Sequence, residues 1–235
     1  MDLKSKIILI SGPTASGKSN FSIKLAKKIN GEIINADSMQ VYKELKILSA
    51  RPNTKDYQKI KHHLYGFHSV KNNFSTGDWL KIAIKKINPT DSQRSIRAYE
   101  VKQFTKKSLH DWFQNTKSHF VKDDFFKIYI DYPREELIQR INKRAEQMIE
   151  IGAINEVKRF LKLKIRKDKS VNKAIGIHEI KEYLEKTKDI SYVIEKISIK
   201  TRQYAKRQST WARGNMMSWI KLPPQDLNKF IKKIK

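Results

Sequence analysis

The sequence feature that most constrains the fold is a glycine-rich loop near the N-terminus. Residues 12–19 match the phosphate-loop pattern G-x-x-x-x-G-K-[ST]. The apolar run Ile7–Ile10 before the loop predicts a buried strand, and the amphipathic pattern that follows Lys18 predicts a helix. Because strand, glycine loop and helix are the arrangement in which this motif binds phosphate, a chance match in an ordinary turn is the weaker interpretation.

The chemistry of the loop follows from its backbone. Gly12 and Gly17 permit tight turns and close approach to a ligand. The amides of the loop and of the first helical turn then converge on one anion, where the helix dipole adds positive potential. Lys18 adds a positive charge, and the Ser19 hydroxyl is expected to bind Mg²⁺, the predicted cofactor, through the ligand. The predicted diphosphate-binding residues are Gly12, Pro13, Thr14, Ala15, Ser16, Gly17, Lys18 and Ser19.

The charge balance indicates a polyanionic partner. The 235-residue chain has 50 Lys and Arg against 24 Asp and Glu, a net charge of +26. Nucleic acid is the first expectation and an anionic membrane surface the second. A codon bias towards Lys, Ile and Asn contributes to this balance but does not explain why acidic residues fail to keep pace. The absence of Cys is compatible with the cytoplasm. Since we find neither a signal peptide nor a stretch long enough to span a membrane, we expect a cytoplasmic protein without a membrane partner.

A second predicted strand brings a carboxylate to the loop. Residues 32–36 are predicted to be a strand that ends at Asp37, and His62–Phe67 a third, shorter one. Because ligands of an open parallel sheet bind at the carboxyl ends of its strands, Asp37 is expected to face the same crevice as the loop. Capping of the following turn is the competing role for Asp37. His62 and His63 are interpreted as structural residues rather than metal ligands, since no further ligand lies at a suitable spacing.

The second half of the chain is predicted to be helical and basic. Helices are predicted at Asp78–Ile87 and from Asp91 or Ser92 to about Phe104, followed by a strand at Phe125–Ile130 and a helix from Pro133 that Gly152 ends. Further helices are predicted at about 153–163, 176–186 and 191–212.

Eight motifs lie at residues 12–19, 35–42, 62–64, 74–79, 91–101, 140–152, 174–176 and 206–213. In sequence and in order they resemble bacterial tRNA dimethylallyltransferase, also called tRNA isopentenyltransferase, and the match runs from about Ile7 to Trp219. The resemblance implies an α/β, P-loop NTPase-like (nucleotide-kinase-like) parallel sheet with flanking helices in residues 1–135. It implies a helical, basic tRNA-binding part in residues 136–235 that packs on this core.

The resemblance also implies the reaction. A dimethylallyl group is transferred from dimethylallyl diphosphate to the N6 amine of the adenosine next to the anticodon, and the partner is the tRNA anticodon stem-loop. In this family the loop holds the prenyl diphosphate and does not hydrolyse ATP. A monomer is expected, although no pattern in the sequence defines the oligomeric state.

The matching motifs carry over site residues. Asp37 resembles the general base, Arg94 the arginine that lines the reaction channel, and Thr14 a residue that stabilises the departing diphosphate. Because the target amine is hidden in the anticodon stack, the base must be splayed out into the protein. The implied tRNA-binding residues are Asp37, Ser38, Met39, Gln40, Gln93, Arg94, Ser95, Ile96, Arg97, Lys206, Arg207, Gln208, Trp211 and Arg213.

The residues alone leave other interpretations open. Arg94 and Arg97 also fit a solvated helix face, which sequence alone favours. Trp211 and Tyr204 lie near helical spacing with Ile197, so core packing is favoured over base stacking.

The sequence departs from the family pattern after Ile87. Family members continue with a buried strand that ends in Gly-Gly-Thr-x-x-Tyr and then with a helical insertion, whereas here the chain runs straight into residues 88–91. In phosphate-loop folds that strand normally lies next to the first strand. Its loss is expected to leave backbone groups unpaired or to close the sheet around a gap.

The missing segment bears on activity as well. The threonine of that motif belongs to the family's active site, so impaired activity accompanies the family assignment as an expectation. One alternative is an inactive remnant that only binds tRNA. A phosphate-loop small-molecule kinase is less favoured, because it requires a magnesium-holding Asp after the strand that is missing.

Overall fold

The computed structural model describes Leu3 and residues 6–57, 59–87 and 120–234. The chain divides into two compact units, one of Met1–Lys71 with Phe125–Lys235 and the other of Asn72–Asp124. The predicted boundary between residues 135 and 136 stays a prediction. The helix predicted to follow Asp91 or Ser92 lies outside the described residues.

The described elements follow the predicted order. The strands are β1 (Ile7–Ser11), β2 (Ile33–Ile34), β3 (His62–His63), β4 (Phe125–Ile130) and β5 (Ile220–Leu222). The helices are α1 (Lys18–Ile29), α2 (Thr76–Ile87), α3 (Arg134–Glu150), α4 (Ala153–Lys162), α5 (Ile177–Leu184), α6 (Ile190–Asn215) and α7 (Leu227–Lys232). Short 3₁₀ turns cover Thr54–Tyr57, Lys122–Asp124, Ser170–Lys173 and Pro224–Asp226. The three-residue strand β5 and the short helix α7 were not predicted from the sequence.

The third strand is shorter than predicted, for a local reason. It covers His62–His63 and not His62–Phe67, because the backbone turns into the left-handed region at Leu64 (φ 65°) and Gly66 (φ 55°). Such angles cannot continue a strand. The Asn35 side chain holds this turn by donating to the carbonyl oxygen of Leu64 at 3.0 Å. The second strand, predicted at 32–36, is likewise reduced to Ile33–Ile34.

The parallel sheet of the first unit is divided into two pieces. One has the order β1-β4-β5, with Ile7 opposite Phe125 and Ile128 opposite Ile220. The other pairs β2 with β3. Within the described ranges no strand joins the two pieces, and all five residues of β1 are partly exposed. This is the arrangement expected when the strand next to β1 is missing.

Two apolar clusters position the loop. The first joins α1, β4, β5 and the C-terminal residues, and its buried members are Leu3, Phe21, Leu25, Ile128, Ile130, Leu222 and Ile234. The second consists of Leu137 and Ile141 on α3 and Ala205 on α6, against which Ala15 of the loop packs. The loop therefore rests directly on two helices from the second half of the chain.

A buried carboxylate fixes the segment that follows Asp37. Glu156 on α4 is 4% exposed and accepts hydrogen bonds from the backbone N–H groups of Lys46, Ile47 and Leu48 at 2.8–2.9 Å. Three donors satisfy a charge that would otherwise be costly to bury. The turn at residues 45–50 is thereby tied to α4.

Among the described helices, none combines the length and apolar character needed to cross a bilayer.

Candidate functional site: the phosphate-binding loop and its neighbours

The loop connects the carboxyl end of β1 to the N-terminus of α1. Gly12 has φ 154°, and a Cβ atom there would lie 2.9 Å from the carbonyl oxygen of Ile130, so no side chain fits. Gly17 has φ 86° and is the N-cap residue of α1, where the left-handed conformation suits glycine. Helix amides that follow such a loop are left free to bind an anion.

Lys18 lies folded onto the loop. Its Nζ atom donates to the carbonyl oxygens of Gly12 and Pro13, each at 2.8 Å. Burial lowers the pKa of Lys18 to about 8, while the Asp37 carboxylate opposes this shift and nearby Arg144 adds to it. Lys18 therefore keeps its proton at neutral pH, and both of its hydrogen bonds are to neutral carbonyl groups that a phosphate oxygen can replace.

Asp37 caps the turn that follows β2, which is one of the two roles considered from the sequence. Its Oδ1 atom accepts from the backbone N–H groups of Met39 at 2.8 Å and Gln40 at 3.3 Å, so it caps the turn. Its charge also opposes the lowering of the Lys18 pKa, which means that the carboxylate lies near the loop. Asp37 is exposed, and its Oδ2 atom accepts no hydrogen bond from the residues the structure describes.

Two arginines of α3 reach the loop, and sequence reasoning did not name them as site residues. Arg140 Nε donates to the carbonyl oxygen of Ala15 at 2.8 Å, and Arg144 Nη1 lies 3.5 Å from Thr14 Oγ1. Burial lowers the pKa of Arg144, and the Asp37 charge opposes that effect. The available signal was their i, i+4 spacing on one side of a helix whose apolar face is buried.

Helix α6 touches the loop through Gln208. The Oε1 atom of Gln208 accepts from the backbone N–H of Thr14 at 2.8 Å. Lys206, Arg207 and Arg213 are exposed, as expected for residues that contact phosphates.

The sequence-based preference for core packing at Trp211 and Tyr204 is wrong. Trp211 is 58% exposed and Tyr204 is 43% exposed. The helix buries the small side chains of Ala205 and Ala212 instead. These alanines are two turns apart and share one face, which places their immediate neighbours towards solvent.

A cavity of about 330 Å³ opens beside the loop. The carboxyl ends of two neighbouring strands form one side of it, and α6 forms the other. Its lining residues are Ser11, Gly12, Tyr129, Arg207, Gln208, Trp211 and Ala212. A ligand in the loop therefore has adjacent space that is lined by both aromatic and basic side chains.

The remaining predicted site residues divide into three groups. Ser19 and Ser38 are exposed, and Met39 and Gln40 are partly buried. The Gln40 side chain is engaged within the protein, since its Nε2 atom donates to the carbonyl oxygen of Ser49 at 3.0 Å. The residues that lie outside the described part of the chain are Gln93, Arg94, Ser95, Ile96 and Arg97.

The two adjacent histidines have protein partners. The His62 ring stacks on Tyr57 with centroids 3.9 Å apart, and His63 Nε2 lies 2.6 Å from a Glu32 carboxylate oxygen. Burial raises the pKa of nearby Tyr65 to about 12, with Tyr57 and Asp37 adding to the effect. These contacts support the structural interpretation of both histidines.

A glycine loop that joins the end of a parallel strand to the start of a helix, with a lysine whose side chain folds back onto the loop, defines an α/β fold of the P-loop class. The family model described as IPP transferase matches residues 81–215, and the model described as isopentenyl transferase matches residues 5–92. The chain belongs to the IPP transferase family.

Individual relatives agree with this assignment. The chain is 48% identical to the tRNA dimethylallyltransferase of Pelagibacter ubique over 303 residues, which cover 100% of this chain and 97% of the relative. A tRNA isopentenylpyrophosphate transferase from Bacillus halodurans has the same fold, with a TM-score of 0.78, 24% identity and coverage of 97% and 95% of the two chains. The corresponding enzyme of Staphylococcus epidermidis gives a TM-score of 0.71, 27% identity and 96% coverage of each chain.

The alignment with the Pelagibacter relative also bears on the shortened segment. The alignment is 303 positions long, whereas this chain has 235 residues. Therefore 68 aligned positions carry no residue of this chain. Because the alignment covers the whole chain, those positions are internal. The length difference agrees with the loss of a strand and an insertion after Ile87.

Proposed function

We propose that this protein transfers a dimethylallyl group from dimethylallyl diphosphate to the N6 amine of the adenosine next to the anticodon of tRNA. The observation that carries the proposal is the proximity of a carboxylate to the phosphate-binding loop. Asp37 lies close enough for its charge to oppose the effect of burial on both Lys18 and Arg144. A general base and an anion cradle are thus available to one reacting pair of molecules.

The transfer reaction requires both the general base and the anion-binding loop. The amine nitrogen forms a bond to the allylic carbon of the donor while the bond from that carbon to the diphosphate oxygen breaks. The amine lone pair is delocalised into the adenine ring, so the amine is a weak nucleophile until a base takes its proton. Asp37 Oδ2 is suited to accept that proton, because Oδ1 is held by the amides of Met39 and Gln40.

The loop stabilises the leaving group. Negative charge grows on the diphosphate as the bond breaks, and donors that are already in place stabilise it without reorganisation. Lys18 supplies a charge by exchanging its carbonyl partners for phosphate oxygens, and Arg144 supplies a second from beside Thr14. The exposed Ser19 hydroxyl at the first turn of α1 is a hard oxygen ligand of the type Mg²⁺ accepts, and the ion would neutralise part of the diphosphate charge.

RNA is held by the basic surface of α6. The exposed side chains of Lys206, Arg207 and Arg213 are suited to phosphates of the anticodon arm, and Arg94 is expected to line the channel. A cytoplasmic location, which we also propose, is consistent with tRNA as the substrate.

A second candidate function is tRNA binding without transfer. The divided sheet favours it, because β1 has a strand partner on one side only among the described residues. The loop that follows β1 is then carried by a strand with less support than a fully paired one.

One experiment separates the two candidates. The protein is incubated with labelled dimethylallyl diphosphate, Mg²⁺ and unmodified tRNA, and the digested nucleosides are analysed for labelled adenosine. A tRNA with purine riboside at the target position, which lacks the amine, is the matched control. Label in the first RNA and not in the second supports the transferase. Salt-sensitive RNA binding without label supports the second candidate.

A further inference from the structure

Gln208 stands out among the residues that contact the loop because it lies on the helix that presents the RNA-facing cations. Its Oε1 atom accepts from the Thr14 backbone N–H at 2.8 Å, a contact between residues 194 positions apart in the chain. Arg140 and Arg144, which also contact the loop, lie on α3. Among the described residues, Gln208 is therefore the side chain of α6 that forms a hydrogen bond with the loop backbone.

The orientation of the Gln208 amide is defined by its two ends. Oε1 faces the Thr14 N–H, so the Nε2 group is directed away from the loop, and the amide lies near Tyr204 on the same helix. Burial and the Asp37 charge raise the pKa of Tyr204, while Arg207 and Gln208 oppose that rise. One side chain thus links the loop to a tyrosine that lies near the proposed general base.

The neighbouring residue strengthens the attachment. The Ser209 side chain lies near Tyr129 at the carboxyl end of β4, where it opposes the rise in the Tyr129 pKa that burial causes. Ala205, one turn before Gln208, is buried in the cluster against which Ala15 packs. The inner face of α6 is therefore fixed to the loop, whereas Lys206 and Arg207 on the outer face are exposed.

We propose that Gln208 is a positioning residue that couples the phosphate-binding loop to the RNA-facing side of α6. RNA held on the outer face restrains α6, and through Gln208 this restraint orders the Thr14 amide and the loop around the diphosphate. Coupling between two sites is reciprocal, so a diphosphate in the loop also strengthens RNA binding. This inference rests on the proposed function for the identity of the RNA, although binding can be measured without any transfer.

The test compares the affinity for an unmodified anticodon stem-loop with and without saturating inorganic pyrophosphate and Mg²⁺. In the unaltered protein, pyrophosphate is expected to lower the dissociation constant of the RNA by about 5-fold or more, within the usual range of coupling between sites. Gln208→Met keeps the length of the side chain but removes the hydrogen bond to the Thr14 amide, and its coupling is expected to fall below about 2-fold. Gln203→Met changes an exposed glutamine of the same helix and is expected to behave as the unaltered protein.

A second measurement needs no variant and so does not depend on how Gln208→Met folds. Hydrogen exchange of the Thr14 amide is followed in the unaltered protein, and RNA alone is expected to slow it. The inference is overturned if pyrophosphate leaves RNA affinity unchanged, if Gln208→Met retains full coupling, if RNA leaves Thr14 exchange unchanged or if the RNA does not bind. Coupling without prenyl transfer contradicts the proposed function alone, whereas transfer without coupling contradicts this inference alone.

Discussion

Replacing Lys18 by methionine tests whether the buried charge of Lys18, which is proposed to bind the anion, lowers the free energy of unfolding. Lys18 holds a proton in a largely buried position, and its pKa falls from 10.5 to about 8. Each pKa unit corresponds to about 1.4 kcal/mol, so the charged form costs up to about 3 kcal/mol of folding free energy at pH 7. Methionine has a similar length and no charge, so Lys18→Met should unfold at a higher urea concentration than the unaltered protein.

The pH dependence follows from the sign of the shift. The folded state loses the Lys18 proton near pH 8 and the unfolded state near pH 10.5. Between these values the unfolded state binds more protons, so the stability of the unaltered protein rises with pH. The advantage of Lys18→Met should therefore be complete below pH 8, shrink between pH 8 and 10.5, and disappear above that range.

Urea unfolding at pH 7 and pH 10, with and without pyrophosphate and Mg²⁺, measures both effects. Pyrophosphate at 100 times its dissociation constant should stabilise the unaltered protein by about 2.7 kcal/mol and Lys18→Met far less. A variant that is less stable at pH 7 would refute the argument from burial. Equal stabilisation of both proteins by pyrophosphate would refute the assignment of Lys18 to the anion site.

Three further predictions address other parts of the molecule. Asp37→Asn keeps an oxygen for the turn amides but loses the base, so labelled-adenosine assays should show transfer reduced roughly 10²–10⁴-fold; full activity would remove Asp37 from the mechanism. Glu156→Gln weakens the acceptor for three backbone N–H groups and should lower the unfolding free energy by about 1–3 kcal/mol, and an unchanged midpoint would contradict this contribution. Gly176→Ala places a Cβ atom 2.6 Å from Leu48 Cδ2 at φ 106° and should cost about 1 kcal/mol or more, whereas Gly214→Ala, with no atom within 4 Å, should stabilise α6 by up to about 1 kcal/mol. Equal effects of the two glycine changes in urea unfolding would contradict the conformational argument.

The elements that the sequence predicted well are those with a local cause. The loop, α1 and the amphipathic α3 follow from glycine positions and from apolar residues at helical spacing. Strand β5 has only three residues and carries no such signal. The end of β3 depended on a left-handed residue at Leu64, which the apolar run did not indicate.

For the candidate site, the sequence predicted the loop and Asp37 as functional residues but could not predict which side chains surround them. Trp211 and Tyr204 were expected in the core, because helical spacing shows that residues share a face but does not show which face is covered. Arg144 was recognised only as part of a motif, since its contact with Thr14 spans 130 residues. Contacts of that kind depend on how α3 and α6 pack.

The sequence by itself predicted a phosphate-binding loop, and the order of its motifs indicated its family. These properties are encoded in short segments, where backbone geometry and residue spacing act over a few residues. Only the tertiary structure decided that Gln208 and Arg144 meet at Thr14, and that β1 lacks a strand partner on one side within the described residues. Such features depend on packing between distant segments, because burial and hydrogen bonding of one segment are set by the elements that cover it.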